Sequence, residues 1–319
     1  MMQQISTQAL VPVLVKGQRF DAIAVQLFPD YSRGQLQSWI KAGELTVDGH
    51  TKKPNAKLVG GEKLSLNATL VDVNAWLPED IAIDVVFEDA HILVINKPAG
   101  LVVHPAAGNY TGTLLNALLH HYPASALIPR AGIVHRLDKD TTGLMVVAKT
   151  LQAQNNLVQQ LQARTASRRY FAIAIGELKK GGVVDAAIGR DPKNRIRMAV
   201  VSAENGKEAI THYDIAARYP HFTLLKLKLD TGRTHQIRVH MAHLGYGLVG
   251  DTTYKGRGIN LSKLREPVRE VLASFNRQAL HAAELGLLHP VSGEYSEWKV
   301  PLPADFSHLM AVLSGPDND

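Results

Sequence analysis

The sequence predicts an α+β fold in two unequal parts, and three observations carry that expectation. From Val85 onward, short apolar or alternating runs of strand length dominate; stretches of helical periodicity interrupt them; and a compact helix, helix, strand pattern over residues 18–67 is set apart by a stretch without periodicity. The chain divides accordingly into a small N-terminal unit over residues 1–70, a linker over 71–82 and a main domain over 83–319.

In the N-terminal unit, Phe20, Ile23, Ala24 and Leu27 recur at helical spacing and predict a first helix. Ser32 is placed to N-cap a second, which carries Leu36, Trp39 and Ile40 and stops at Gly43. Residues 44–49 and 62–66 then predict two short strands separated by turn formers. The linker contains Pro78 and no periodic pattern. In the main domain, strands are expected over 85–87, 92–95, 101–103, 144–148, 170–175 and 224–229, and helices over 112–120 and 151–164, with Leu157 and Leu161 one turn apart. A further helix follows the last strand, with Ile237, Met241 and Leu244 on one face and Gly245 closing it. No internal repeat or low-complexity tract occurs.

A chain of 319 residues with 45% hydrophobic content supplies an ordinary core. It has no cysteine, which excludes disulfides, thiolate nucleophiles and cysteine-based zinc sites and suits a reducing cytoplasm. The first residues lack a basic segment followed by an apolar one, and no run of about 18 apolar residues appears, so neither export nor membrane insertion is expected. The net charge of +6 and pI near 9.4 favour contact with a polyanion through its phosphates.

The most informative segment is His-Arg-Leu-Asp-Lys-Asp-Thr-Thr-Gly-Leu, residues 135–144. An apolar run over 131–134 precedes it and another over 144–148 follows, which places Asp138 on a polar loop between two strand-like segments. Taken alone, these residues favour the plainer reading, in which Asp138 or Asp140 caps a turn or the start of a helix. Tyr170 lies on a strand face beside Ala172 and Ala174, while Phe171, Ile173 and Ile175 share the other; the small residues leave either room for a flat ring or a face packed under a helix. His235, His240 and His243 have no accompanying carboxylate or thiol pattern, so no metal site is expected.

His135-Arg136-Leu137-Asp138 with the following Thr-Gly-Leu resembles the signature of the RluA-type pseudouridine synthases. Further segments stand in the order that family places them: Asn-Lys-Pro-Ala-Gly-Leu-Val-Val-His-Pro over 96–105, Arg169-Tyr170, Gly-Lys-Glu-Ala over 206–209, Thr-Gly-Arg-Thr-His-Gln-Ile-Arg-Val-His over 231–240, Gly250-Asp251 and Arg-Gln-Ala-Leu-His-Ala over 277–282. The resemblance runs nearly end to end. The helix, helix, strand pattern before it resembles the S4 RNA-binding module.

Several expectations follow from the resemblance. The main domain should be a mixed, mainly antiparallel-sheet catalytic domain, and the N-terminal unit S4-like. The activity should be isomerisation of uridine to pseudouridine in RNA, which needs no metal and no cofactor. Asp138 should be the catalytic carboxylate, with Arg233 paired to it to keep it ionised, and Tyr170 should stack on the base and take part in proton transfer. Because a stacked uridine must leave its helix to reach a recessed carboxylate, Arg136 should fill the gap. Arg19, Arg33, Gln37, Lys41, Lys52 and Lys53 are candidates for phosphate contact in the S4-like unit. Arg130, Lys139, Lys149, Arg168, Arg169 and Arg238 add positive charge around the motifs; each of these, and each basic residue of the S4-like unit, reads as well as a solvated surface residue.

Residues 28–32, 114–120 and 129–138 look most like the branch that modifies the helix-69 stem-loop of 23S rRNA, so the expected partner is 23S rRNA or the large ribosomal subunit, met by a cytoplasmic monomer. The alternatives are a member acting at other 23S sites, a non-catalytic RNA-binding assembly factor, and a glycosylase that releases uracil. One departure stands out: Gly247 occupies a position where relatives usually place Pro, which bears on loop stiffness and on no proposed catalytic residue.

Overall fold

The computed structural model describes residues 2–15, 17–31, 33–71, 76–105, 109–194 and 197–315. Its N-terminal part holds β1 (Met2–Leu10), α1 (Phe20–Leu27), α2 (Arg33–Ala42), β2 (Leu45–Val47) and β3 (Lys63–Val71). The three strands form an antiparallel sheet in the order β1-β3-β2. Phe20, Ile23 and Ala24 of α1 and Leu36, Trp39 and Ile40 of α2 bury themselves against Leu45, Val47, Leu64 and Leu66, so the helical period of the sequence becomes the face laid on the sheet. Gly43 ends α2 with a positive φ of 78°. The expected cap, Ser32, lies outside the described residues, as does the 72–75 part of the linker.

The remaining chain gives β4 (Val85–Glu88), β5 (Ile92–Lys97), α3 (Leu114–His121), β6 (Thr142–Ala148), α4 (Leu151–Gln162), β7 (Ser167–Ile175), β8 (Gly182–Asp185), β9 (Ile188–Arg190), β10 (Met198–Val200), β11 (Ile210–Tyr219) and β12 (Phe222–Leu229). It continues through α5 (Gln236–His243), α6 (Glu266–Ser274), β13 (Leu280–Leu288), β14 (Tyr295–Lys299) and α7 (Ala304–Leu313). Nine strands build one sheet along the order β4-β5-β6-β13-β7-β12-β11-β8, with β14 paired to β13. Every pairing is antiparallel except β13 with β6. The expected mixed, mainly antiparallel α+β architecture is the one observed.

Strand alternation sorts the helices between the two faces. Leu93, Ile95, Met145, Val147, Tyr170, Ala172, Ala174, Leu225 and Leu227 point to one side, where α3 supplies Leu114, Leu115 and Leu118 and α5 supplies Ile237 and Met241. Ile92, Val94, Leu144 and Val146 point to the other side, under Ala153 and Leu157 of α4. Ile173 and Leu224 also face that way, covered by Val268 and Val271 of α6 and Phe306 and Leu309 of α7. The face shared by α3 and α5 is the one on which the candidate site lies.

Two local expectations change. Residues 101–103 form no strand: Lys97 and the left-handed Gly100 turn the chain, and Val102 makes only an isolated bridge to Thr113. The run over 131–134 is not a strand either, because Pro129–Gly132 is a short 3-10 turn in which Arg130, Ala131 and Gly132 all have positive φ. A side chain at Gly132 would run into the Ala148 carbonyl of β6, so this close approach requires glycine.

Candidate active site

Asp138 leaves the loop that joins this left-handed turn to β6. Apolar anchoring fixes the loop on both sides of it: Leu137 is buried in the main core, and Ile133 bridges to Val147 of β6. The Thr141 amide donates to the Asp138 carbonyl at 3.1 Å, closing a turn just beyond the carboxylate. Lys97, fully buried at the end of β5, donates to the carbonyls of Pro98 at 2.7 Å, Leu101 at 2.9 Å and Lys139 at 2.8 Å. Its ammonium thus ties the loop after β5 to the Asp138 loop. Burial pulls the Lys97 pKa down to about 8, against the attraction of Asp140 and Asp138.

The carboxylate is held by a cation from α5. Arg238 Nη1 donates to Asp138 Oδ2 at 2.9 Å, while Nε and Nη2 of the same guanidinium donate to the two carboxylate oxygens of Asp251 at 2.6 and 2.9 Å. Asp251 Oδ1 also accepts the amides of Thr253 and Tyr254, and the Tyr254 ring lies against the guanidinium at 4.9 Å. Burial works against the Arg238 charge, but Asp251 and Asp138 outweigh it and push the guanidinium pKa up. Asp138 therefore faces a permanent positive charge whose orientation is set by a two-point contact.

This arrangement corrects one expectation. Arg233, not Arg238, was the residue the resemblance paired with Asp138; instead Arg233 Nε donates to the Glu208 carbonyl at 2.8 Å on the wall of the same cavity. The segment over 231–240 holds both arginines. Arg233 precedes the helix, whereas Arg238 lies one residue past the buried Ile237 in α5 and reaches inward.

His235 sits at the start of α5 in the left-handed region, φ 57°, with its Nδ1 2.7 Å from the Tyr254 hydroxyl and its Nε2 3.8 Å from Asp138 Oδ1. Burial lowers its pKa, although Asp138 pulls the other way, so the ring is neutral. His240 bonds Thr211 and the Ala186 carbonyl and braces α5 against its surroundings. His135 accepts the Val146 amide on Nε2, and burial together with Arg168 lowers its pKa to about 3.

Around Asp138 opens a cavity of about 980 Å³, within the range of small-molecule sites. Tyr170 is part of its wall, 6% exposed, on the face it shares with Ala172 and Ala174. Burial raises the Tyr170 pKa, Arg168 opposes the rise and Asp138 adds to it, so the phenol keeps its proton at neutral pH. Arg130, Arg136, Arg164 and Arg233 also line the cavity, the first three as exposed residues. His104 joins them, its pKa lowered to about 4 by burial and by Arg130 and Arg136. The result is a recess with a carboxylate at its wall and a cationic rim.

The other expected RNA contacts lie in the N-terminal unit. Arg19, Arg33 and Gln37 converge on the fully buried Asp21: Arg19 donates to both carboxylate oxygens at 3.0 Å, Arg33 to Oδ2 at 3.0 Å and Gln37 to Oδ2 at 2.6 Å. Burial alone would raise the Asp21 pKa, and these three donors bring it far below the usual carboxylate range. Lys41 and Lys53 are exposed and Lys52 is half-buried. Lys97 and Asp251 stand in segments that carry the resemblance, but nothing in the sequence assigned them, or Asp21, an organising role, because that role appears only once the fold brings their partners together.

Comparison with known proteins places this geometry. The sequence profile of a family described as RNA pseudouridylate synthase matches residues 91–243. The chain is 54% identical over 313 residues to the ribosomal large subunit pseudouridine synthase D of Pseudomonas aeruginosa, spanning 98% of this chain and 97% of the relative. It is 50% identical over 314 residues to the protein of the same name from Escherichia coli, spanning 98% and 96%. Among solved structures, human RNA pseudouridylate synthase domain containing 4 superposes with a TM-score of 0.56 at 25% identity, covering 72% of this chain and 92% of that one.

Proposed function

The chain belongs to the RNA pseudouridylate synthase family and is an isomerase of uridine in RNA, and we propose that its substrate is 23S ribosomal RNA, at the uridines of the helix-69 stem-loop. The observation that carries this reading is the Asp138 carboxylate, fixed by Arg238 in a recess that Tyr170 shares and arginines rim. The large-subunit target follows the names of the relatives.

Isomerisation breaks the bond from N1 to C1′, turns the base and joins C5 to C1′, with one proton leaving C5. It needs an ionised carboxylate, an enclosure that keeps the freed base, and a proton acceptor. Asp138 is the carboxylate, held 2.9 Å from the fixed positive charge of Arg238. Tyr170 is the flat surface on which the uracil stacks and, still protonated, a relay that takes up the C5 proton as it passes its own to solvent. Arg233 acts on the RNA from the cavity wall. Everting the target uridine costs a few kcal/mol, and Arg136, exposed on the Asp138 loop, stacks into the gap it leaves.

Residues 1–70 serve as an S4-like module, joined through residues 71–82 to the catalytic domain over 83–319. Lys41, Lys52 and Lys53 meet phosphates there, while Arg19 and Arg33, steadied by Asp21, present fixed guanidinium groups to the same backbone. The protein works in the cytoplasm as a monomer. No helix among the described residues is long and apolar enough to cross a membrane.

Carbodiimide primer-extension mapping of unmodified 23S rRNA, free and in subunits, tests the reading with wild-type protein and Asp138→Asn. Stops in the helix-69 loop that require Asp138 are expected, with RNA binding retained by the variant. Stops elsewhere move the target, isomerisation by Asp138→Asn removes Asp138 from the chemistry, and free uracil among the products indicates a glycosylase.

A further inference from the structure

Arg168 is a buried cation that the Asp138 cluster does not use. It lies near the start of β7 on the same face as Tyr170, roughly 6.6 Å along the strand from it, and lines the same cavity. It is 6% exposed, and among the described residues it forms no ion pair. Its Nη2 approaches the carbonyls of Leu229 and Asp230 at only 3.4 Å each, and its Nε is buried without an acceptor. The carboxylates nearby are engaged elsewhere, Asp138 with Arg238 and Asp230 with His212.

A buried charge held by two long contacts is costly unless it gains a partner. Gly232 lets the guanidinium pack against its backbone: a Cβ there would stand 2.7 Å from Arg168 Nη1. The exposed arginines Arg130, Arg136 and Arg164 are placed to meet backbone phosphates at the rim, so the deeper Arg168 is left to the base.

We propose that Arg168 is a catalytic residue that donates to the carbonyl edge of the everted uracil and carries the negative charge the base acquires as its glycosidic bond breaks. This rests on the reading of the cavity as a uridine site. Heterolysis leaves the N1–C1′ electron pair on the base, where O2 and O4 share the charge; addition of a carboxylate to C6 would place charge on O4 as well. The base then uses an electron pair to join C5 to C1′; the C5 proton leaves by way of the Tyr170 hydroxyl to solvent, and N1 takes up one proton in its place. The product is an isomer, and Arg168 neither gains nor loses a proton. A fixed donor in a recess poor in water is most effective where charge develops.

Single-turnover isomerisation and RNA affinity, measured for wild type, Asp138→Asn, Arg168→Gln, Arg168→Lys and Gly232→Ala, test the assignment. Arg168→Gln should bind RNA within about threefold of wild type and isomerise about a hundredfold more slowly. Arg168→Lys, which keeps the charge without the fork, should recover part of the rate, and Gly232→Ala should slow it by pushing the guanidinium aside. With 5-fluorouridine at the target, followed as loss of the original nucleoside, the Arg168→Gln deficit should shrink, because fluorine stabilises an anionic base. An equal deficit on both bases, or an Arg168→Gln rate within about threefold of wild type, overturns the proposal. Should Arg168→Gln fail to fold, wild-type rates in both Arg168→Lys and Gly232→Ala overturn it. An active wild type, an inactive Asp138→Asn and an unimpaired Arg168→Gln remove Arg168 alone, whereas an inactive wild type removes the uridine site itself.

Discussion

Asp138 owes its position to a guanidinium that is itself gripped by a second carboxylate. Arg238 joins Asp138 and Asp251 at three points of its planar fork. A lysine there keeps one positive charge but cannot bond both oxygens of Asp251 and reach Asp138 together. Disrupting a buried ion pair costs about 3–5 kcal/mol. Arg238→Lys should therefore lower the single-turnover isomerisation rate by about a hundredfold or more while RNA affinity stays near wild type. A wild-type rate would mean that Asp138 stays oriented without this fork. The signature around Asp138 was legible in the sequence, and so was the strand face that carries Tyr170. The identity of the partner arginine was not, because residues 231–240 offer two and only the phase of α5 decides between them.

At the scale of elements, the loop bearing Asp138 is shaped by the backbone before it. Three successive residues, Arg130, Ala131 and Gly132, adopt positive φ and swing the chain onto β6. Such conformations cost about 1–3 kcal/mol at a residue other than glycine. Gly132→Ala adds strain to a direct clash with the Ala148 carbonyl and should destabilise the protein by about 3 kcal/mol or more, read as a lower urea midpoint. An unchanged midpoint would show that the turn relaxes freely. The apolar run over 131–134 pointed to a strand because the sequence of a left-handed turn packed on a sheet carries the same small and β-branched residues. β1 gave no warning for the opposite reason: Met-Gln-Gln-Ile-Ser-Thr-Gln-Ala-Leu is mostly polar, and its pairing with β3 across more than fifty residues supplies what periodicity lacks. The apolar strands β5 and β6 were legible because both faces of the sheet are covered there, and β12 because its buried Leu225 and Leu227 alternate with the exposed Lys226 and Lys228.

At the scale of the whole molecule, burial holds five of the described histidines, His104, His135, His235, His240 and His281, below their ordinary pKa, three of them far below. Burial lowers the pKa of His281 to about 4, of His104 to about 4 and of His135 to about 3, all from an ordinary value of 6.5. The unfolded chain takes up protons at these positions as pH falls through 6.5, while the folded chain resists until pH 4 or below. In that window the unfolded state binds more protons, so stability is fully present above 6.5 and is lost as pH falls toward 4. The loss for the three together is on the order of a few kcal/mol, with His104, the least enclosed, giving the smallest share. Carboxylates held below their usual range, such as Asp21, give up their contribution only at lower pH, which separates the two effects. His281 isolates the histidine part: it is 1% exposed, its Nδ1 lies 2.8 Å from the Thr142 hydroxyl, and it joins β13 to β6 at their parallel pairing. Urea midpoints measured at about pH 7.5 and about pH 5 should fall together with pH in the wild type and fall less in His281→Gln, whatever that substitution costs at neutral pH. An identical fall in both proteins would assign the acid sensitivity to groups other than His281.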